Sequence, residues 1–194
     1  WIPRLVAMGP DGTLSIVGNQ RVGTLSATNG YGFLAGASGA PIGGPAPQTG
    51  TGESVFFGDI VDITVDAQGN TYAMDQTNSK LLKVTRAGVV TEVVFPFFDT
   101  GSAGYNKLAA DAAGNIYVAE RGYGQGGRIT RVDAQGNATL LFNGATIDIG
   151  SDKITVDQLA VRPDGQAYFY SWVGGAVYRV DGIGQATLVA GSGD

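Results

Sequence analysis

The sequence predicts an all-β chain built of repeated four-stranded antiparallel units, and three observations carry that expectation. Apolar and polar residues alternate over short runs, glycine-centred turns separate the runs, and one strand-turn-strand string recurs four times within 194 residues. The copies are LVAMGPDGTLSIV, ITVDAQGNTYAMD, LAADAAGNIYVAE and LAVRPDGQAYFYS. Their turn glycines, Gly12, Gly69, Gly114 and Gly165, lie 57, 45 and 51 residues apart by subtraction of successive positions.

Each copy continues through a variable loop into a third strand, a second glycine turn and a fourth strand. These later strands read KLLKVTRAGVVTEVV in the second copy, RITRVDAQGNATLLF in the third and AVYRVDGIGQATLVAG in the fourth; the first copy, RVGTLS followed by GYGFLAG, is a weaker match. Four antiparallel strands per repeat is the blade of a β-propeller. The expected blades span 4–36, 59–95, 106–143 and 156–191, within a single domain 1–194. In the turns, Asp-x-x-Gly-Asn or Pro-Asp-Gly supplies the positive φ and the local side-chain hydrogen bonds that a tight hairpin needs. Alternation then gives each strand one buried face, with Ile63 and Val65 together on the first strand of the second copy and Tyr72 and Met74 together on its second strand. A lone sheet of this kind cannot cover both faces, whereas neighbouring blades stacked side by side can.

Composition narrows the function. Twelve Lys and Arg against 17 Asp and Glu give a formal charge of -5, which provides no basic field for phosphates, so no nucleic-acid partner is expected. The absence of Cys removes disulfides and thiolate chemistry; the absence of His removes the commonest general base, the usual zinc ligand and every Ser/His/Asp arrangement within this chain. The most apolar run, GVVTEVVFPFF, is interrupted by Thr91 and Glu92 and is too short to cross a bilayer, so no membrane insertion is expected. A start at Trp1, with no Met and no basic-then-apolar leader, is what a processed or excised chain would show.

The blade string resembles the NHL repeat, in its bacterial form. Asp66, Gly69, Asn70, Tyr72 and Asp75 follow that pattern in the second copy, and Asp111, Gly114, Asn115 and Tyr117 in the third, where Glu120 takes the place of the polar-loop Asp. The fourth copy departs, with Gln166 for Asn and Tyr170-Ser171-Trp172 entering the loop. FLAGASGAPIGGPAPQTG is similar to the Gly-Pro-Ala-rich linkers between blades of bacterial members. The resemblance implies a propeller, usually of six blades. Four blades then fit a segment of a longer propeller, a four-bladed ring, or a half-ring completed by self-association; the first is favoured, because TLVAGSGD stops where the next connection should begin.

In such blades the loop joining strands two and three shares a face with the connections between blades. The strings GNQRVG, DQTNSK, ERGYGQGG and SWVGG, with Tyr170 immediately before the last, bring Arg21, Asp75, Asn78, Lys80, Glu120, Arg121, Tyr123, Tyr170 and Trp172 to that face as candidate ligand contacts. Aromatic, amide and charged groups in that mixture suit a carbohydrate or a protein partner. The Asp66–Asn70 and Asp111–Asn115 turns, on the opposite face, read as structural hairpins. Phe56-Phe57 and Phe97-Phe98 read as core. Asp99 and Asp157 add acidic groups between blades, and Asp148 and Asp152 offer oxygen ligands for Ca²⁺ at a spacing that matches no calcium loop. RGYGQGGR lies between two strands instead of opening a helix, so no dinucleotide site follows.

The expected function is a non-catalytic binding or structural scaffold without a cofactor. One alternative is a propeller-type hydrolase or lactonase with a Ca²⁺ site. A second is an assembly or spacer unit of a large bacterial surface or secreted protein, and a secreted or cell-surface location goes with these readings.

Overall fold

The computed structural model describes residues 2–39, 47–94, 96, 106–122 and 124–192. Two compact units divide the chain, Trp1–Phe95 and Pro96–Asp194. In the first, β1 (Leu5–Met8), β2 (Leu14–Gly18), β3 (Arg21–Ser26) and β4 (Gly30–Ala35) form one antiparallel meander. β6 (Ile60–Val65), β7 (Thr71–Asp75), β8 (Lys80–Val84) and β9 (Val89–Val93) form the next, with the short β5 (Gly50–Thr51) added outside β9. In the second unit β10 (Lys107–Ala110), β11 (Ile116–Glu120), β12 (Arg128–Val132) and β13 (Ala138–Asn143) make one sheet. A two-stranded hairpin of β14 (Asp148–Ile149) and β15 (Asp152–Lys153) intervenes before the last sheet, β16 (Gln158–Val161), β17 (Ala167–Ser171), β18 (Ala176–Gly182) and β19 (Gln185–Gly191).

The repeated turns use a common device. Asp66, Asp111 and Asp133 each accept the backbone N–H groups two and four residues on, at 2.8–2.9 Å, and the side-chain amide of the following Asn at 2.7–2.9 Å. The carboxylate closes the turn that the positive φ of Gly69 (81°) or Gly114 (85°) permits. The Pro-Asp-Gly turns place the carboxylate one residue before the glycine instead, where Asp11 accepts from Thr13 N–H and Asp164 from Gln166 N–H.

Pairing of Ile63 with Ala73 and of Val65 with Thr71 puts these four on one face, leaving Tyr72 and Met74 on the other. Every residue of β7 and of β11 is nevertheless buried, so the second strands are covered on both faces. Within the first unit the core joins Val17 and Val22 to Phe57, Ile63, Leu82 and Val84. Phe57 is therefore core, as expected, while Phe97 and Phe98 lie outside the described residues. Within the second unit Phe142, Phe169 and Tyr178 stack at ring-centroid separations of 4.7 and 5.3 Å.

The outer strands show how the sheets end. β4, β13 and β19 each carry an extra residue, Leu34, Leu141 and Val189, at the same position relative to the third strand. Such bulges twist an edge and interrupt its row of free N–H and C=O groups. β9 has no bulge in its pairing with β8, and there β5 covers the edge.

Candidate functional site

The sequence-predicted contacts divide between inward anchors and exposed groups. Asp75, the last residue of β7, is fully buried: one oxygen accepts Gly58 N–H at 2.7 Å and Asn78 Nδ2 at 2.9 Å, the other Asn78 N–H at 3.1 Å. It thus ties the chain entering β6 to the β7–β8 turn, and Asn78 is spent on the same knot. Ser171, equally buried at the end of β17, does this in the last sheet by accepting Thr155 N–H at 3.1 Å. Glu120 ends β11 and is 2% exposed. Asp75 and Glu120 are therefore interior groups and not loop-tip contacts, because the strand registers turn the last side chain of the second strand inward.

Arg21 is held by Ser38 Oγ at 3.2 Å and by Glu53 at 3.6 Å, with its guanidinium 5.6 Å from the Phe33 ring centre. Lys80 pairs with Glu92 at 2.5 Å. Tyr123 lies outside the described residues. In the second unit Arg121 pairs with Asp157 at 2.7 Å, both side chains being largely buried. Asp157 also accepts the N–H of Trp172, whose indole is 64% exposed at the β17–β18 turn. Tyr170 is half-buried on the sheet face opposite Phe169. Asp148 pairs with Lys153 across the β14–β15 hairpin at 2.6 Å, and among the described residues no group of three or more His, Cys, Asp or Glu is placed to hold a metal ion.

On the loop face of the first unit an open groove of about 560 Å³ is lined by Arg4, Asn19, Gln20, Ser38, Asp59 and Thr77, among others. Its walls are local consequences of sequence. Asn19 and Gln20 join β2 to β3 as a two-residue turn with φ of 50° and 60°. Asn tolerates that conformation, but Gln carries a backbone cost of about 1 kcal/mol or more. Gly36 passes so close that a Cβ there would stand 2.3 Å from the Gln20 carbonyl oxygen, which fixes the turn against the chain leaving β4. Opposite, Asp59 donates its N–H to Thr77 Oγ1 at 2.9 Å and pairs through its carboxylate with Arg4 at 3.0 Å. The groove therefore presents amides and hydroxyls beside a self-neutralised ion pair, and Gly58 in its lining is tied to Asp75.

Of these residues, Asn19 and Gln20 stand in the string GNQRVG and Thr77 in DQTNSK, the loop strings singled out from the sequence. Arg4 and Asp59, 55 positions apart, carry no local signal.

On the opposite face of the same unit a smaller cleft of about 220 Å³ is lined by Thr13, Ser15, Thr24 and Ser26, among others, with Asp11 and Arg86 paired at 2.8 Å across it. The N–H of Thr13 and the Arg86 guanidinium hold the Asp11 carboxyl down at a pKa of about 2.

No protein-family model matches the chain, and no curated protein matches it in sequence. Solved structures do. Virginiamycin B lyase from Staphylococcus aureus is similar at a TM-score of 0.61 and 14% identity, over 96% of this chain and 55% of the lyase. YCF48 from Cyanidioschyzon merolae is similar at a TM-score of 0.58 and 15% identity, over 96% and 56% respectively. A putative gluconolactonase matches at a TM-score of 0.56 and 12% identity, over 96% and 62%. The chain thus spans a little over half the length of these proteins, and at such identities the likeness speaks to fold alone. Together with the four antiparallel meanders, it makes this chain a β-propeller protein.

Proposed function

We propose that this chain is a non-catalytic binding module, one propeller domain over both units, whose loop face takes up a neutral, hydroxyl-rich ligand of the carbohydrate class. The observation that carries the reading is the groove between the Asn19-Gln20 turn and the Arg4–Asp59 pair. Its volume is that of a small-molecule site. Its two charges cancel each other, and its remaining polar groups both donate and accept hydrogen bonds, which suits sugar hydroxyls better than an ion. The exposed indole of Trp172, in the second unit, is by itself a ring on which a sugar can stack.

Likeness to a lyase and to a putative gluconolactonase raises the enzyme alternative. Against it, a histidine-to-alanine form of the lyase is described as catalytically inactive, and this chain has no His. A Ca²⁺-dependent lactonase would need converging oxygen ligands, whereas Asp66, Asp75 and Asp111 are occupied by backbone and amide donors.

Calorimetric titration with a panel of neutral mono- and oligosaccharides tests the proposal. Binding is expected for at least one class, weakened about tenfold or more in Gln20→Ala and Thr77→Val, which each remove groups facing the groove. Lactone hydrolysis that rises with Ca²⁺ and is lost with chelator would overturn the non-catalytic reading. Saccharide binding indifferent to both substitutions would move the site elsewhere, and a protein ligand competing for the same groove would replace the carbohydrate class.

A further inference from the structure

The four copies of the repeat differ along one row of side chains. Three residues after the turn glycine, the second, third and fourth copies carry Tyr72, Tyr117 and Tyr168. Cross-strand register sets these against Lys83, Arg131 and Arg179, and those in turn against Thr91, Thr139 and Thr187. In the first copy the same row reads Ser15, Thr24 and Gly32. A phenol ring, a long cationic side chain and a threonine are thus replaced by two small hydroxyl side chains and a hydrogen atom.

The second unit shows what the tyrosine does. Tyr117 is 2% exposed, and its hydroxyl lies 3.2 Å from the carbonyl oxygen of Gly165, the turn glycine of the next sheet. Where the first sheet meets the second, the shortened row leaves the cleft of about 220 Å³ instead, with Ser15, Thr24 and Gly32 on one side and Val65, Gly69 and Arg86 on the other. Gly69 is the counterpart of Gly165 there. Ser15 Oγ stands 2.6 Å from Thr71 Oγ1 of the second sheet, and only one of the two hydroxyl hydrogens can lie between them, so the pair has another to give.

The cation that the first sheet lacks comes from the second. The guanidinium of Arg86 lies over Gly69, where an added Cβ would overlap it, and is held by Asp11 at 2.8 Å and by the Gln68 carbonyl oxygen at 3.2 Å. In the second copy Lys83 stands 5.3 Å from the centre of the Tyr72 ring, so a cation beside a phenol is already part of the repeat.

We propose that this cleft binds a small, single-ring phenol, which takes the place of the ring that the other copies supply from their own chain. A cavity of about 150 Å³ is enough for a benzene ring, so the volume admits one ring with a polar substituent. Glycine backbone and Val65 give it flat, apolar walls, the hydroxyls of Ser15 and Thr24 face the substituent, and Arg86 offers a planar cation to the ring. Asp11 and Arg86 neutralise each other, which favours a neutral ligand over an ion. The walls come from the first two sheets alone, on the face opposite the Asn19-Gln20 groove, so phenol and saccharide binding are separable.

The test is an NMR titration of the isotope-labelled full chain with p-cresol, the free form of a tyrosine side chain. Saturable binding with a Kd of about 1 mM or tighter is expected, with amide shifts at Gly9, Gly32 and Gly69. Toluene, which lacks the hydroxyl, should bind at least about tenfold more weakly. Ser15→Tyr returns the side chain of the other copies to the cleft, and should weaken p-cresol at least about tenfold while Tm stays at or above that of the wild type. Should that variant melt lower, Thr24→Lys decides, because it puts the second copy's cation at a half-buried strand position, and the same loss is expected. No shifts up to the solubility limit of p-cresol, shifts confined to other surfaces, equal affinity for toluene, or binding indifferent to both substitutions would each overturn the proposal.

Discussion

Replacing Tyr117 by Phe removes one oxygen from the interior of the second unit and tests how the Asp-x-x-Gly-Asn turn is fixed to the next sheet. The Tyr117 hydroxyl lies 2.9 Å from Asp111 Oδ2 and 3.2 Å from the carbonyl oxygen of Gly165, in the β16–β17 turn. The ring is 2% exposed and Asp111 is 7% exposed, so water does not replace what is lost. A hydrogen bond to a buried charged acceptor contributes about 1.5–3 kcal/mol. The variant should lose about 2–3 kcal/mol, which in a chain of this size is about 5–10 °C in Tm.

Its pH dependence should change as well. Burial and the bond to Asp111 push the Tyr117 phenol up to about 12. A raised pKa means stability that is fully present below the ordinary tyrosine value near 10 and is lost as pH climbs from there towards 12; the Phe variant should lack that alkaline loss. Asp111 behaves oppositely. Burial drives its pKa up, but the bonds from Asn115, Tyr117 and Ala113 outweigh that and leave it below the ordinary carboxylate range. Its contribution is present above about pH 4 and is lost as pH falls further, so removal of one donor should move the acid transition to higher pH. Urea unfolding followed by circular dichroism across the pH range, with phenolate absorbance alongside, measures all three effects. An unchanged urea midpoint in the variant would refute the reasoning.

Two further outcomes follow from buried contacts. Arg121→Met takes the cation from the largely buried Asp157 carboxylate, leaving it the Trp172 N–H and the Thr155 hydroxyl, and should cost about 2–4 kcal/mol; a double-mutant cycle with Asp157→Asn should give a coupling of about 1–3 kcal/mol in urea unfolding, and additive costs would mean the pair is not coupled. Gly12 and Gly88 share φ values of 77° and 76°, but a Cβ at Gly12 meets open space, whereas one at Gly88 stands 2.4 Å from the Leu34 carbonyl oxygen. Gly12→Ala should therefore cost about 1–2 kcal/mol and Gly88→Ala about 3 kcal/mol or more, and equal thermal shifts would show that conformation alone governs both sites.

Features that depend on neighbours in the chain were readable from the residues alone. Period-2 alternation marks a strand with a buried face, and Asp-x-x-Gly-Asn closes on itself through bonds spanning two and four residues, so strands, turns and the fourfold recurrence were all legible. The fate of each loop residue was not, because it depends on register and on segments that arrive from elsewhere. Asp75 reads as a loop acid until Gly58 meets it from 17 positions away. The DIGSDK string reads as a pair of cation ligands until Lys153 pairs across its hairpin with Asp148. Arg4 and Asp59 define a groove only because β1 and β6 pack together. The same limit applies to surfaces: alternation along β1 to β4 announces two faces, and only the packing of the sheets decides that Val17 and Val22 are covered while Met8 and Tyr31 face solvent. Local hydrogen bonds are encoded by spacing, whereas burial is a property of what comes to lie opposite.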